Sequence, residues 1–245
     1  MRSKQLAIVL SALAGVWLLT SCTTPAPPTQ PQTSADANQA ASPGWAAAYA
    51  QLAQSGGKVY RLEPENSAVR IYVFRGGRAA KAGHNHVLSA PKFVGYAYLP
   101  PGGYANTRFD LEFRLDELEI DNPEYRASLG AAYASVLSTE SIDGTRDHML
   151  GEDNLQAKHF PFVRVHCQQV IGEPPKLAAS VQVELHGQPR QMWLPLTVEG
   201  LPERVSVSGS LVVRQSDFGA RPYSVLGGLL AVQDEVVIEF HLVGA

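Results

Sequence analysis

An all-β, antiparallel domain is predicted by the alternation of its apolar residues, by the turn chemistry between the alternating segments and by the length of chain they occupy. Alternation runs through Val69, Ile71 and Val73, through Phe93, Gly95, Ala97 and Leu99, and through Phe109, Leu111, Phe113 and Leu115. It returns in Val163, Val165 and Cys167, in Val181, Val183 and Leu185, and in Met192, Leu194, Leu196 and Val198. Val205, Val207, Leu211 and Val213 follow, and Val236, Ile238, Phe240 and Leu242 close the series. A period of two over so many segments places one face of each strand in a core and the other in water. Pro100-Pro101-Gly102-Gly103, Gly172-Glu173-Pro174-Pro175, His186-Gly187-Gln188-Pro189 and Glu199-Gly200-Leu201-Pro202 supply the turns. About 190 residues follow Lys58, enough for one domain with its own core. The spacings fit a meander that closes into a barrel or a sandwich, since closure removes the exposed edges of an open sheet.

Ahead of this domain, Met1-Arg2-Ser3-Lys4 is basic and Leu6 to Leu19 is apolar but short for a bilayer span, the pattern of a secretory signal over residues 1–21. It ends in Leu19-Thr20-Ser21-Cys22, which resembles the lipobox of bacterial lipoproteins, with Cys22 the lipidated residue. Thr23 in place of aspartate favours an outer-membrane anchor facing the periplasm. Residues 22–57 form the next region. Thr23 to Pro43 is a Pro-, Ala- and Thr-rich linker, and Trp45, Tyr49 and Leu52 have the spacing of a short amphipathic helix that docks on the domain or on lipid. The folded domain is expected over 58–245.

Loss of residues 1–21 removes Arg2 and Lys4 and no acidic residue, so the formal charge moves from −3 to −5. That balance excludes a nucleic-acid surface. With Cys22 lipidated, Cys167 has no partner for a disulfide, and its place in the alternation reads as a small buried hydrophobe.

One segment breaks the β pattern. Tyr125, Leu129, Tyr133, Val136 and Leu137 are spaced as on a helix over Asn122 to Leu137, opened by the cap-like Asp121-Asn122-Pro123. Such an insertion either covers one opening of a barrel or simply connects two strands. Thr145-Arg146-Asp147-His148-Met149-Leu150 follows it, and is read as a loop held by an Arg–carboxylate latch rather than as an Asp147–His148 catalytic pair, since no nucleophile motif accompanies it. Asp217-Phe218-Gly219 has the letters of a kinase metal-binding triplet without the other kinase motifs.

Gly83-His84-Asn85-His86 is the strongest local signal, because alternate histidines on a strand put both imidazoles on one face. A zinc site there would need further ligands from His148, Asp147, His159 or His166, and spacing selects none of them. The alternative is a polar feature facing a cavity.

The order of Tyr60-Arg61-Leu62-Glu63-Pro64-Glu65-Asn66-Ser67, Gly83-His84-Asn85-His86 with Phe93-Val94-Gly95, Arg146-Asp147-His148-Met149-Leu150 with Phe160-Pro161, Val183-Glu184-Leu185-His186-Gly187, Arg214 to Gly219 and the closing strand from Asp234 to Leu242 resembles the YceI-like family, the lipocalin-like polyisoprenoid-binding proteins of bacteria. The resemblance implies a lipocalin-like antiparallel β-barrel, here with a helical insertion between strands, whose tunnel takes up an isoprenoid or acyl chain. It implies no enzyme activity and no cofactor besides the lipid ligand. Where the resemblance meets the inward set, the ligand-binding candidates are Phe93, Ala97, Leu99, Val165, Val183, Leu185 and Leu194, with His84 and His86 near a head group. The expected function is therefore that of a lipid-anchored periplasmic binding protein for a long-chain lipid, associated with the membrane through Cys22. Two readings from other classes are a metal-dependent enzyme centred on His84 and His86, and an adaptor whose barrel is packed solid.

Overall fold

The computed structural model describes residues 44–245. The expected signal segment, Cys22 and the linker to Pro43 lie outside the described residues.

The chain enters through α1 (Trp45–Ala53) and continues into β1 (Lys58–Arg61), β2 (Ala68–Gly76), β3 (His86–Ser89), β4 (Val94–Leu99), β5 (Arg108–Arg114) and β6 (Glu119–Ile120). The insertion follows as α2 (Pro123–Ser128) and α3 (Thr139–Leu150). Long strands complete the domain: β7 (Phe162–Glu173), β8 (Lys176–Leu185), β9 (Gln188–Glu199), β10 (Val205–Arg214), the short β11 (Ser224–Val225) and β12 (Leu230–Gly244).

Every strand pairing among the described residues is antiparallel. The sheet runs β1-β4-β5-β7-β8-β9-β10-β12-β2-β3-β6. It closes because β1 and β2 are two halves of one wall strand, separated by the turn Pro64–Asn66. Both halves meet β12, β2 along Ala231 to His241 and β1 through the Leu62–Gly244 bridge. β3 with β4, and β5 with β6, are broken in the same way, since each half pairs with the corresponding half of its neighbour. The result is an eight-position up-and-down barrel in which β12 closes on β1 and β2.

Register follows the sequence pattern. Phe109, Leu111, Phe113 and Leu115 face inward, while the outward positions between them build a ladder across β5, β7 and β8. In that ladder Arg164 donates to Glu112 at 2.7 Å and to Glu184 at 3.5 Å. Opposed charges of this kind on one face fix strand pairing as well as the apolar face does.

α1 docks on the outside of the wall. The ring of Tyr49 stacks on Tyr96 at 5.3 Å and its hydroxyl donates to Asp110 at 2.7 Å, so the helix lies on protein through a polar fastening.

The insertion departs from the expected single helix. Asn122 caps α2 by accepting from the N–H groups of Glu124 and Tyr125, and Pro123 fits the first turn, as the cap-like tripeptide predicts. Gly130 at φ 74° then breaks the chain out of helical geometry. α3 begins where Ser138 accepts from the N–H of Ser141, and it contains the Thr145–Leu150 segment read as a loop. The latch expected there is also different: Arg146 donates to the carbonyls of Asp116 and Leu118 at 3.3 and 2.9 Å, not to a carboxylate.

Candidate functional site: an apolar cavity with a polar end

The barrel encloses a cavity of about 620 Å³, within the range of small-molecule sites. Its wall is built from the alternating residues: Val69, Ile71 and Val73 of β2, Val205, Val207, Leu211 and Val213 of β10, and Val236, Ile238, Phe240 and Leu242 of β12 all line it. Among the described residues no Lys, Arg, Asp or Glu lines it. A packed-solid barrel does not describe this interior.

Polar side chains gather at the end that α3 covers. Ser141, Thr145 and His148 come from α3, Asn154 from the segment after it, Gln215 and Tyr223 from the β10–β11 connection, and His86 from the start of β3. His148 packs on the ring of Tyr223 at 4.7 Å, and the Asn154 amide donates to the Arg221 carbonyl at 2.6 Å, so α3 and the β10–β11 connection hold one another. At the other end the hydroxyls are spent on protein: Tyr60 donates to the Pro202 carbonyl at 2.9 Å, and Tyr98 pairs with Ser55 at 2.9 Å. Thr107 there has a buried hydroxyl without a hydrogen-bond partner among the described residues.

His86 is held by a buried charge network. Its Nδ1 lies 2.6 Å from Asp121 Oδ2, while Asp121 Oδ1 accepts from Arg126 Nη1 at 2.6 Å and from the Val87 N–H at 3.0 Å. Arg126 also donates to the Asn85 carbonyl and to the carbonyl and hydroxyl of Ser135. Burial pushes the Asp121 carboxyl up, but the hydrogen bond and charge of His86, the Val87 N–H and Arg126 outweigh it and hold it below the usual carboxylate range. The α2 turn thus has a chemical purpose, which is to deliver Arg126 to Asp121. With Nδ1 committed to Asp121, Nε2 is the nitrogen of His86 left for a bound molecule.

Of the sequence-derived candidates, Ala97, Leu99, Val165, Val183, Leu185, Leu194 and His86 line the cavity, and Phe93 and His84 do not. Phe93 is buried in the core one residue before β4 begins, so it falls outside the strand's alternation. Gly95 leaves no interior room: a Cβ there would stand 2.6 Å from Leu62, which fills the space. His84 is exposed, with Nδ1 at 3.1 Å from the Ser135 hydroxyl, and β3 starts only at His86. The two imidazoles therefore do not share a strand face.

Nor do they converge on a metal geometry. Among the described residues no group of three or more His, Cys, Asp or Glu side chains is placed to hold an ion. The other candidates are scattered: His148 on Tyr223, His159 3.5 Å from Glu152, and His166 2.5 Å from Asp110 on the outer wall. Cys167 is buried, and burial pushes its thiol up to about 11, which leaves it protonated and inert at neutral pH.

Sequence reasoning missed Asp121 and Arg126. Their one signal was an Asp directly before a helix cap with an Arg inside the short helix it opens, which reads as capping until the tertiary contact is known.

A sequence profile described as the YceI-like domain matches residues 60–244, the barrel from β1 to β12. The chain belongs to this family. Among solved structures it is similar to Burkholderia cenocepacia BcnA, at 17% identity and a TM-score of 0.53, over 75% of this chain and 99% of that one. It is also similar to the Campylobacter jejuni YCEI protein at 10% identity, over 63% of this chain and 83% of that one, with a TM-score of 0.43. No curated protein matches the chain. This YceI-like barrel accordingly has a binding-protein fold, and its family binds hydrophobic ligands such as polyisoprenoids.

Proposed function

We propose that this YceI-like protein binds one long-chain lipid, isoprenoid or acyl, inside the barrel, and that it carries, stores or sequesters that lipid in the bacterial envelope. The observation that carries the reading is the apolar cavity of about 620 Å³, with no Lys, Arg, Asp or Glu in its lining among the described residues. Each buried methylene contributes about 0.8 kcal/mol, so a chain of about ten carbons retains useful affinity after the cost of immobilising it. The polar groups at the α3 end give the head group its place. His86, His148, Gln215 and Tyr223 offer hydrogen bonds without a fixed charge, a lining that favours an uncharged head over a diphosphate.

Lipidation at Cys22 would tether the barrel to the outer membrane on its periplasmic side, and residues 23–43 would set its reach, at about 3 Å per residue where extended. Solvent extraction of the purified protein followed by mass spectrometry tests the binding reading. A co-purifying lipid, or saturable uptake of added prenyl or acyl chains, is expected. Absence of both overturns it.

A further inference from the structure

We propose that the turn Leu226-Gly227-Gly228-Leu229, together with Arg78 and Lys81, is a docking tip that inserts into an anionic lipid bilayer and brings the α3 end of the barrel to the membrane. This goes beyond ligand binding and does not rest on Cys22. Leu226 is 72% exposed at φ +53°, a left-handed conformation that a bulky residue adopts at a cost, and Gly227 and Gly228 continue the turn at positive φ. Leu229, 37% exposed, closes it. A conformation that costs energy in order to hold a leucine out in water gives no stability to the barrel itself, and the observed strain points toward function.

The turn's neighbours supply the complementary charge. The Arg78 N–H donates to the Gly228 carbonyl at 3.3 Å, and the Ala79 N–H to the Leu229 carbonyl at 2.8 Å, so the β2–β3 loop is joined to the turn. Arg78 and Lys81 on that loop are exposed and form no ion pair with the described residues. The same loop leads to His84, whose ring meets Ser135, and the next residue is Val136, 97% exposed. Apolar tips flanked by free cations are the chemistry of an interfacial anchor, with leucines for the acyl boundary and cations for anionic head groups. The other exposed apolar residues lie on the wall strands, Val94 on β4, Ile171 on β7, Trp193 on β9 and Val212 on β10. The turn is also continuous with the cavity's polar end: β11 pairs Ser224 with Ala231, and Tyr223, one residue before, lines the cavity against His148.

The experiment places an environment-sensitive fluorophore at Leu226→Cys or, as a wall control, at Val212→Cys, in the full chain carrying Cys22→Ser, where the remaining Cys167 is buried. Circular dichroism checks that both labelled chains keep the β-barrel spectrum. Vesicles of phosphatidylethanolamine and phosphatidylglycerol should shift the emission at 226 to the blue, and spin-labelled lipid should quench it, with position 212 unchanged. Arg78→Gln with Lys81→Gln should weaken the vesicle-dependent signal about thirtyfold, about fivefold for each cation. No shift at 226, an equal shift at 212, or a shift produced by raising protein concentration without vesicles overturns the proposal. Insertion that is indifferent to the two glutamines overturns the assignment to an anionic surface. Cavity lipid is measured separately by extraction, so loss of docking with lipid retained rejects this inference and leaves the binding reading standing.

Discussion

Two carboxylates in this barrel, Asp121 and Asp110, each hold a histidine, and they do so for different ends. Asp121 is fully buried and its histidine, His86, keeps 15% of its side-chain surface, whereas the Asp110 side chain is 11% exposed and its histidine, His166, 54%. The third partner differs as well: Arg126 for Asp121, and the Tyr49 hydroxyl for Asp110. Inside, a full counter-charge is required because an unpaired carboxylate in that setting is costly, and the resulting cluster orients a ring at the cavity. Outside, a neutral hydroxyl is sufficient, because water still reaches the pair, and the cluster fastens α1 to the wall. The same residue types therefore face a cavity in one place and clip a helix in the other, and burial with the identity of the third partner distinguishes them.

Removing Arg126 tests the contrast most severely. Arg126→Ala leaves Asp121 buried beside His86 alone and should cost about 3–5 kcal/mol in urea denaturation. Asp121→Asn combined with Arg126→Met should recover part of the loss, and a cost under about 1 kcal/mol for the single change would make the two clusters energetically alike. Tyr49→Phe removes the hydrogen bond to Asp110 and should cost about 1.5–3 kcal/mol, with faster hydrogen exchange in α1 and an unchanged cavity.

Ligand affinity separates the histidines. His86→Ala should weaken lipid binding by about 1 kcal/mol and His166→Ala by nothing measurable; equal effects would end the distinction. Acid provides a further discriminator. The Asp121 carboxyl is held below its ordinary value, so its contribution to stability is complete above the unfolded aspartate value of about 3.9 and is lost as pH falls through the folded one. Asp121→Asn should therefore flatten the acid limb of the stability curve, read as urea midpoints against pH. The smallest effect concerns Cys167 beneath the Asp110 cluster: with its thiol raised to about 11, it should resist alkylation at pH 7 until the barrel unfolds.

The alternation located the wall because side chains on a strand repeat every two residues whatever the topology, and β2, β5 and β10 obey it without interruption. It failed where the backbone changes period. A bulge between Cys167 and Gln169 shifts β7, so that Val170 rather than Gln169 turns to the cavity beyond Cys167. α3 escaped notice for a different reason. Its sequence, Thr139 to Leu150, is polar with Gly144 at its middle and buries no residue fully, because it lies across the end of a cavity instead of on a packed core. A helix in that position has no apolar stripe to announce it.

The sequence by itself determined antiparallel strands with one apolar face, since periodicity and turn chemistry act within a few residues, while closure into a barrel rather than a sandwich and an interior left open belong to the tertiary structure. Only the tertiary structure decided which polar groups meet that interior. Asp121 reaches His86 across 35 residues and Arg126 joins them from a separate helix, while His84, two residues from His86, turns away to Ser135. Pairings of buried charge depend on which distant segments exclude water together, and no local pattern in the chain records that.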